Sequence, residues 1–172
     1  MRKKSMECPK DARLIKLSRG KVAIVDEEDY CFLSQHKWTA IKNKKNWYAM
    51  RMHRNEEGKS VGVLMHREIL GLGTNDPDTD HIDHNGLNNR KKNMRLCTNS
   101  QNHANEKIRK NGSSKYKGVS WKPDHKKWYA AIGYQNKVKF LGYFNTEIEA
   151  AKRYDEKARQ YFGEFANCNF AV

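Results

Sequence analysis

The chain reads as an α+β protein in three stretches: a small N-terminal unit of β-hairpins and short helices, a strand–loop–strand–helix segment, and a three-stranded antiparallel sheet packed on one helix. Three observations predict this. Short apolar runs alternate with turn residues up to residue 73. Residues 79–105 then carry three histidines, two aspartates and seven asparagines with little apolar content. After residue 116, three β-type runs lead into one long segment of helical spacing. The length of 172 residues suggests about one ordinary domain. With 37% apolar and 31% charged residues the core is modest, and a piece of about 60 residues buries only roughly 60% of its unfolded surface.

The elements follow in order. RLIKLSRGKVAIV, residues 13–25, places two apolar runs around Ser18-Arg19-Gly20, a hairpin signal. From Asp26, acids open a segment carrying Tyr30, Phe32 and Leu33, which suits a short helix with acids in its first turn. A second hairpin turns at Asn43 to Lys45, with Trp38, Ile41, Trp47, Tyr48, Met50 and Met52 on its strands. NEEGK is a turn, and VGVLMHREILGLG runs from strand into a short helix ended by Gly71 or Gly73. Residues 79–83 suit a short strand and NMRLCT a second one, separated by the polar loop DHNGLNNRKK, a stretch too polar to make a core. TNSQNHANEKI opens a helix capped by Thr98, Asn99 or Ser100. A basic Gly/Ser linker surrounds residues 111–115. YKGVSW, KWYAAIGY and VKFLGYF are three strands, and Val119, Ala130, Ile132 and Leu141 are expected to face the helix that follows. In that helix Thr146 and Glu149 form a capping box, Ile148, Ala151, Tyr154, Ala158 and Tyr161 or Phe162 form one apolar stripe, and Gly163 ends it.

The net charge of +14 points to a polyanion partner. An anionic membrane is the weaker choice. No run of 18 apolar residues is present and no signal-peptide core follows Met1. The expected setting is the cytoplasm of a prokaryotic or phage-infected cell, not a secreted one. Cys8, Cys31, Cys97 and Cys168 include no CxxC pair, so a zinc ribbon is not expected and free thiols are.

The stretch from residue 79 suits phosphodiester hydrolysis. That reaction needs an activated water, a cation to offset phosphate and leaving-group charge, and a base that titrates near neutrality. Histidine is the natural base. A Mg²⁺-type ion needs only one or two protein oxygens, which Asp and Asn supply. The run Asp80-His81, then Asn93-Met-Arg-Leu, then Asn102 resembles the HNH nuclease motif in its ββα-metal arrangement, in the style of phage and intron homing endonucleases. The resemblance implies that Asp80 and Asn102 hold one metal ion, that His81 is the general base, and that Asn93 pins the loop and orients His81. It implies Mg²⁺ or Mn²⁺, one ion per site, and no zinc. His103, one place beyond Asn102, is a weaker ligand candidate. VLMHREIL also resembles the family, which often shows a His-Arg pair before the motif; His66 or Arg67 lies near the site or on DNA, or His66 merely packs at the strand–helix junction. Arg95 meets a phosphate or pairs structurally. His36, His53, His84 and His125 are expected on the surface or facing DNA rather than ligating.

The tail resembles the AP2/ERF DNA-binding domain through Y116-K-G-V-S-W, K127-W-Y-A-A-I, L141-G-Y-F with Ala150, Tyr154 and Asp155, and Gly163, Ala166, Asn169 and Phe170. That family lays its sheet in the major groove. Carried over by position, Lys117, Ser120, Lys122, Lys127, Tyr129 and Lys139 are the candidate DNA contacts, and Asn169-Phe170 closes the core. The family usually has arginine where Ser120 stands, and Glu and Arg where Ala131 and Gly133 stand, so phosphate contact is expected to carry more of the binding. The N-terminal hairpins either meet DNA through Lys42, Lys44, Lys45, Arg51 and Arg54 or are simply solvated.

The organisation expected is residues 1–73 as the region before the motif, 74–110 as the HNH motif, 111–115 as linker and 116–172 as the AP2/ERF-like domain. The expected function is a site-selective, divalent-metal-dependent DNA endonuclease of homing type, acting on double-stranded DNA and nicking once per active site. Monomer and dimer are both open. The alternatives are a transcription-factor-like DNA binder that does not cleave, and an RNA-binding module with stacking aromatics.

Overall fold

The computed structural model describes residues 11–43, 46–105, 112–135 and 137–170. The chain is α+β, with small antiparallel sheets and few helices, and divides into two compact units, Met1–Leu96 and Cys97–Val172.

In the first unit β1 (Ala12–Lys16) pairs antiparallel with β2 (Val22–Asp26), from Ala12 opposite Asp26 to Lys16 opposite Val22. Arg19 and Gly20 make the turn with positive φ. Helix α1 (Glu27–Leu33) starts on Glu27, Glu28 and Asp29, as the acid-rich opening predicts, because carboxylates offset the positive end of the helix. Strands β3 (Thr39–Asn43), β4 (Asn46–Arg54) and β5 (Ser60–Leu64) form a meander; the Lys44-Lys45 turn lies outside the described residues. β5 passes directly into α2 (Met65–Ile69), and Gly71 leaves that helix with φ of 65°. The core gathers Ile15, Val25, Leu33, Trp38, Ala49 and Met65.

Strands β6 (Asp78–His81) and β7 (Met94–Cys97) form a two-stranded sheet. The connection between them is polar, as its composition says, yet part of it joins the core after all: Leu87 enters the core, and Asn89, Arg90 and Asn93 are buried, while Ile82, Asp83, Asn85, Lys91 and Lys92 stay exposed. The chain borrows an edge for this. Ile24 N–H donates to the Leu87 carbonyl at 2.8 Å and Asn89 N–H to the Ile24 carbonyl at 2.7 Å, so the loop docks on β2 as a bridge. Arg90 is held by Asp26 and Asp11. Backbone groups that would otherwise be orphaned by burial thus find partners.

In the second unit α3 (Asn99–Asn105) is capped by Thr98, whose hydroxyl accepts from Gln101 N–H while the Gln101 side chain accepts from Thr98 N–H. The predicted continuation to Ile108 lies outside the described residues. Strands β8 (Val119–Lys122), β9 (Lys127–Tyr134) and β10 (Lys137–Phe144) form an antiparallel sheet in the order β10-β9-β8. Helix α4 (Glu147–Phe162) begins at the predicted Thr146/Glu149 capping box and buries Ala150, Ala151, Tyr154, Ala158 and Phe162. Ile148 is 50% exposed: at the second helical position its side chain lies off the face that meets the sheet, and the stripe starts with Ala150 instead. A register shift between Phe140 and Gly142 lets Leu141 reach the core as predicted. Asp155 is buried and accepts from the backbone of Asn169 and Phe170 and from the Asn169 amide, which ties the C-terminal segment to α4. Gly118 is required where it stands, since a Cβ would lie 2.0 Å from the Tyr154 ring and φ is 74°.

Candidate active site

Four elements of the first unit converge on His81. β6 supplies Asp80 and His81, β7 supplies Arg95, α2 supplies His66, and β4 supplies Tyr48. Asp80 and His81 are both 5% exposed. The His81 ring meets His66 edge-on at 5.2 Å and Tyr48 at 6.0 Å, and Tyr48 meets His66 at 5.9 Å. His66 is buried, and among the described residues its Nδ1 has no hydrogen-bond partner. Burial, with His81 and Arg67 nearby, pushes the His66 imidazole down to about 3. Burial also pushes His81 down, opposed by the Asn89 contact and by Asp83 and Asp80. Both imidazoles are therefore neutral near pH 7.

The tautomer of His81 follows from its partner. His81 Nε2 lies 3.4 Å from Asn89 Oδ1, and the Asn89 amide Nδ2 is directed at Met65 Sδ, 3.5 Å away. An amide oxygen only accepts, so the proton sits on Nε2 and the lone pair on Nδ1. Neutral imidazole is the form of His81 that can act as a base.

Asn93 ties the loop. Its amide donates to Asp83 Oδ1 at 3.0 Å and to the Asn88 carbonyl at 2.8 Å, and accepts from Asp83 N–H at 3.1 Å. Its carbonyl accepts from Ile82 N–H at 2.9 Å, beside His81. The Asp83 carboxyl is held down by the amides of Asn88 and Asn93 and by the Asn85 N–H, against the upward push of burial. Asn46 closes the other side, donating to the His84 carbonyl and accepting from Gly86 N–H. Gly86 packs so closely that a Cβ would sit 2.5 Å from the Trp47 carbonyl and 2.6 Å from the Tyr48 ring.

The remaining predicted residues fall in different places. Arg95 pairs with Asp80, Nε at 2.9 Å and Nη2 at 2.8 Å from Oδ2, so of the two roles left open for it the ion pair is the one formed. Arg67 donates to the carbonyls of Gly73, Asp76 and Pro77 and braces that loop. Arg51, read as a DNA contact or a solvated cation, is instead paired with Glu68 at 2.5 Å and largely shielded. Asn102 is half-buried and His103 exposed, both on α3 in the second unit. Among the described residues no three His, Cys, Asp or Glu side chains are grouped so that they could hold a metal ion. Sequence reasoning missed Tyr48, Asn46, Asn89 and Asp83 as parts of this site. Tyr48 looked like one more strand aromatic, and nothing in an asparagine run tells which amide turns inward.

In the C-terminal sheet, register separates the candidate contacts. Ser120 is opposite Tyr129 and Lys122 opposite Lys127 on the face away from α4. Lys139 pairs with the buried Ile132 and its ammonium lies 4.9 Å from the rings of Tyr134 and Tyr161. It therefore sits on the helix side, because alternation along β10 puts Phe140 on the open face. Lys117 is half-buried and its ammonium donates to the Ala104 carbonyl near the end of α3.

No family model matches the chain. An uncharacterised HNH endonuclease of Acanthamoeba polyphaga mimivirus is 34% identical over 148 residues, which is 81% of this chain and 74% of the relative. The chain belongs to the HNH endonuclease family. It also carries an AP2-like domain: an ethylene-responsive transcription factor of Arabidopsis thaliana is 43% identical over 63 residues, 36% of this chain and 15% of that factor. An AP2/ERF and B3 domain-containing transcription repressor of the same plant is 42% identical over 71 residues, 41% of this chain and 19% of the repressor. This HNH protein thus joins two kinds of sequence that the plant factors and the viral relative show over very different shares of their lengths.

Proposed function

We propose that this HNH protein is a site-selective, divalent-metal-dependent endonuclease of homing type that hydrolyses phosphodiester bonds in double-stranded DNA, one strand per active site. The observation that carries the reading is neutral His81, buried beside Asp80. Residues 74–110 act as the catalytic ββα motif after the preparatory region 1–73, and 116–172 act as the DNA-reading module beyond the 111–115 linker.

His81 takes the proton of the attacking water, while Asn89 orients the imidazole through its contact with Nε2. Asn93 keeps the loop closed and, through its carbonyl on Ile82 N–H, fixes the chain beside His81. His66 and Tyr48 wall the imidazole off from solvent, which keeps it neutral and basic in form. The donor chemistry would suit a hard divalent ion such as Mg²⁺ or Mn²⁺: Asp80 would offer a charged oxygen and Asn102 a neutral one, and among the described residues the buried hydroxyl of Thr79 next to Asp80 has no hydrogen-bond partner. Bound there, such an ion supplies charge stabilisation to the phosphate and the leaving 3′ oxygen. Arg95 balances the Asp80 carboxylate and is released to a phosphate when that carboxylate takes another partner.

A second reading is a DNA binder that does not cleave. The Arg95–Asp80 pair favours it, since that arrangement is stable by itself. Supercoiled plasmid separates the two. The wild-type chain in Mg²⁺ or Mn²⁺ is expected to yield nicked product, EDTA to stop it, and His81→Ala to lower the rate by at least about a hundredfold with duplex affinity retained. Unchanged cleavage by His81→Ala sinks the assignment of the base; retained DNA binding with no cleavage under any metal supports the binder.

A further inference from the structure

The open face of the C-terminal sheet has an unusual surface for a polar protein. Opposite the helix side, register gathers Ser120, Lys122, Lys127, Tyr129, Ala131, Gly133, Val138, Phe140 and Tyr143. Val138 is 75% exposed, Phe140 55% and Tyr143 39%. The rings are already organised: Tyr129 stacks on Phe140 at 5.3 Å, Phe140 meets Tyr143 at 5.1 Å, and His125 lies 4.3 Å from Tyr143. Lys122 reaches over the Tyr129 ring at 5.1 Å. A methyl at Gly133 would meet nothing within 4 Å, so the neighbourhood of Val138 is open. No arginine, asparagine or glutamine stands on this face within the described strands.

These facts decide what kind of duplex the face fits. Guanidinium and amide groups read guanine and adenine edges by paired hydrogen bonds, and neither stands on this face, whose two lysines can meet guanine or phosphate. The major groove offers one apolar group on a base edge, the 5-methyl of thymine. Apolar rings held in place by their neighbours lose little freedom on contact. We propose that this face recognises thymine-rich duplex DNA by packing Val138, Phe140 and Tyr143 against thymine methyl groups, with Lys122 and Lys127 on the flanking phosphates. The proposal rests on the DNA-binding reading above and names what that module selects.

The test is a binding titration of the full chain in EDTA, so that no cleavage intervenes. The probes are a short mixed A·T duplex, the same duplex with deoxyuridine for thymidine, a G·C duplex with cytosine or 5-methylcytosine, and the corresponding single strands. Deoxyuridine removes only the methyl and is expected to weaken binding about fourfold for each methyl that becomes buried. 5-Methylcytosine restores a methyl at the same place on the groove and is expected to strengthen binding. Phe140→Ser, a change at an exposed side chain, is expected to shrink the thymine–uracil difference. Equal affinity for thymidine and deoxyuridine duplexes, with no gain from 5-methylcytosine, overturns the proposal while leaving DNA binding intact. Tighter binding of single strands than of any duplex overturns it in favour of base stacking. Failure to bind any DNA removes the underlying reading as well.

Discussion

The two units of this chain bury polarity in different ways. The loop between β6 and β7 hides amides and a guanidinium, and each is tied to a named partner: Asn93 to Asp83 and Asn88, Arg90 to Asp26, Asn89 to Met65 and His81. The sheet and helix of the C-terminal unit bury small apolar residues and rings, with Asp155 as the one charged side chain buried among its described residues. A core of the second kind tolerates many substitutions of similar volume. A network of the first kind tolerates few, because a lost partner leaves a desolvated group behind. The difference teaches where precision is placed. The candidate site lies in the hydrogen-bonded half, and the other half mainly presents a surface.

The sharpest way to break the comparison is to remove the polar anchor of each unit. Asp155→Ala deprives three donors at Asn169 and Phe170 of their acceptor and is expected to cost about 3 to 5 kcal/mol in urea unfolding. Asn93→Ala removes three hydrogen bonds and is expected to cost about 2 to 4 kcal/mol. The two differ in consequence. Asn93→Ala is expected to remove cleavage with DNA affinity nearly kept, and Asp155→Ala to weaken DNA affinity as the sheet unit loosens. Equal loss of both activities in both variants breaks the division of labour.

The next effect is a pH dependence confined to the first unit. His66 is neutral in the folded chain down to about 3, while an unfolded histidine takes its proton near 6.5. Between those values the unfolded chain binds the extra proton, so stability falls as pH falls, by up to about 1.4 kcal/mol per unit for that group. Above about 6.5 neither state is protonated and the effect vanishes. His81 acts in the same direction. Unfolding measured at pH 7 and pH 5 is expected to show this decline, and His66→Phe to flatten it; an unchanged slope in that variant means His66 is not buried neutral. The smallest effect belongs to the helix position the apolar pattern misplaced: Ile148→Ser is expected to change stability by no more than about 0.5 kcal/mol, measured by thermal unfolding.

Much of the fold was legible because local signals agreed with each other. The turn at Arg19-Gly20, the acids opening α1 and the capping box of α4 each carry their structural reason within a few residues. The site was legible only as a spaced set of chemical types. That Arg95 faces Asp80, that Asn89 rather than Asn93 contacts the His81 ring, and that Tyr48 and His66 close over it depend on strands distant in the chain. Composition showed that the polar loop could not make a core, but not that part of it would join one. It enters the protein because β2 lends it an edge and Leu87 a core position. Lys139 was grouped with the other lysines by its position in the family pattern, although alternation from the inward Leu141 puts it on the helix side.

By itself the sequence determined the order of elements, their caps and turns, the basic charge and the residue types of a candidate hydrolytic site, since all of these follow from neighbours along the chain. Only the tertiary structure decided which amides turn inward, which tautomer His81 holds, which carboxylate Arg95 takes and which side of the last sheet shows its rings. Those are outcomes of burial and long-range pairing, where a group's energy depends on what is packed against it and not on what precedes it.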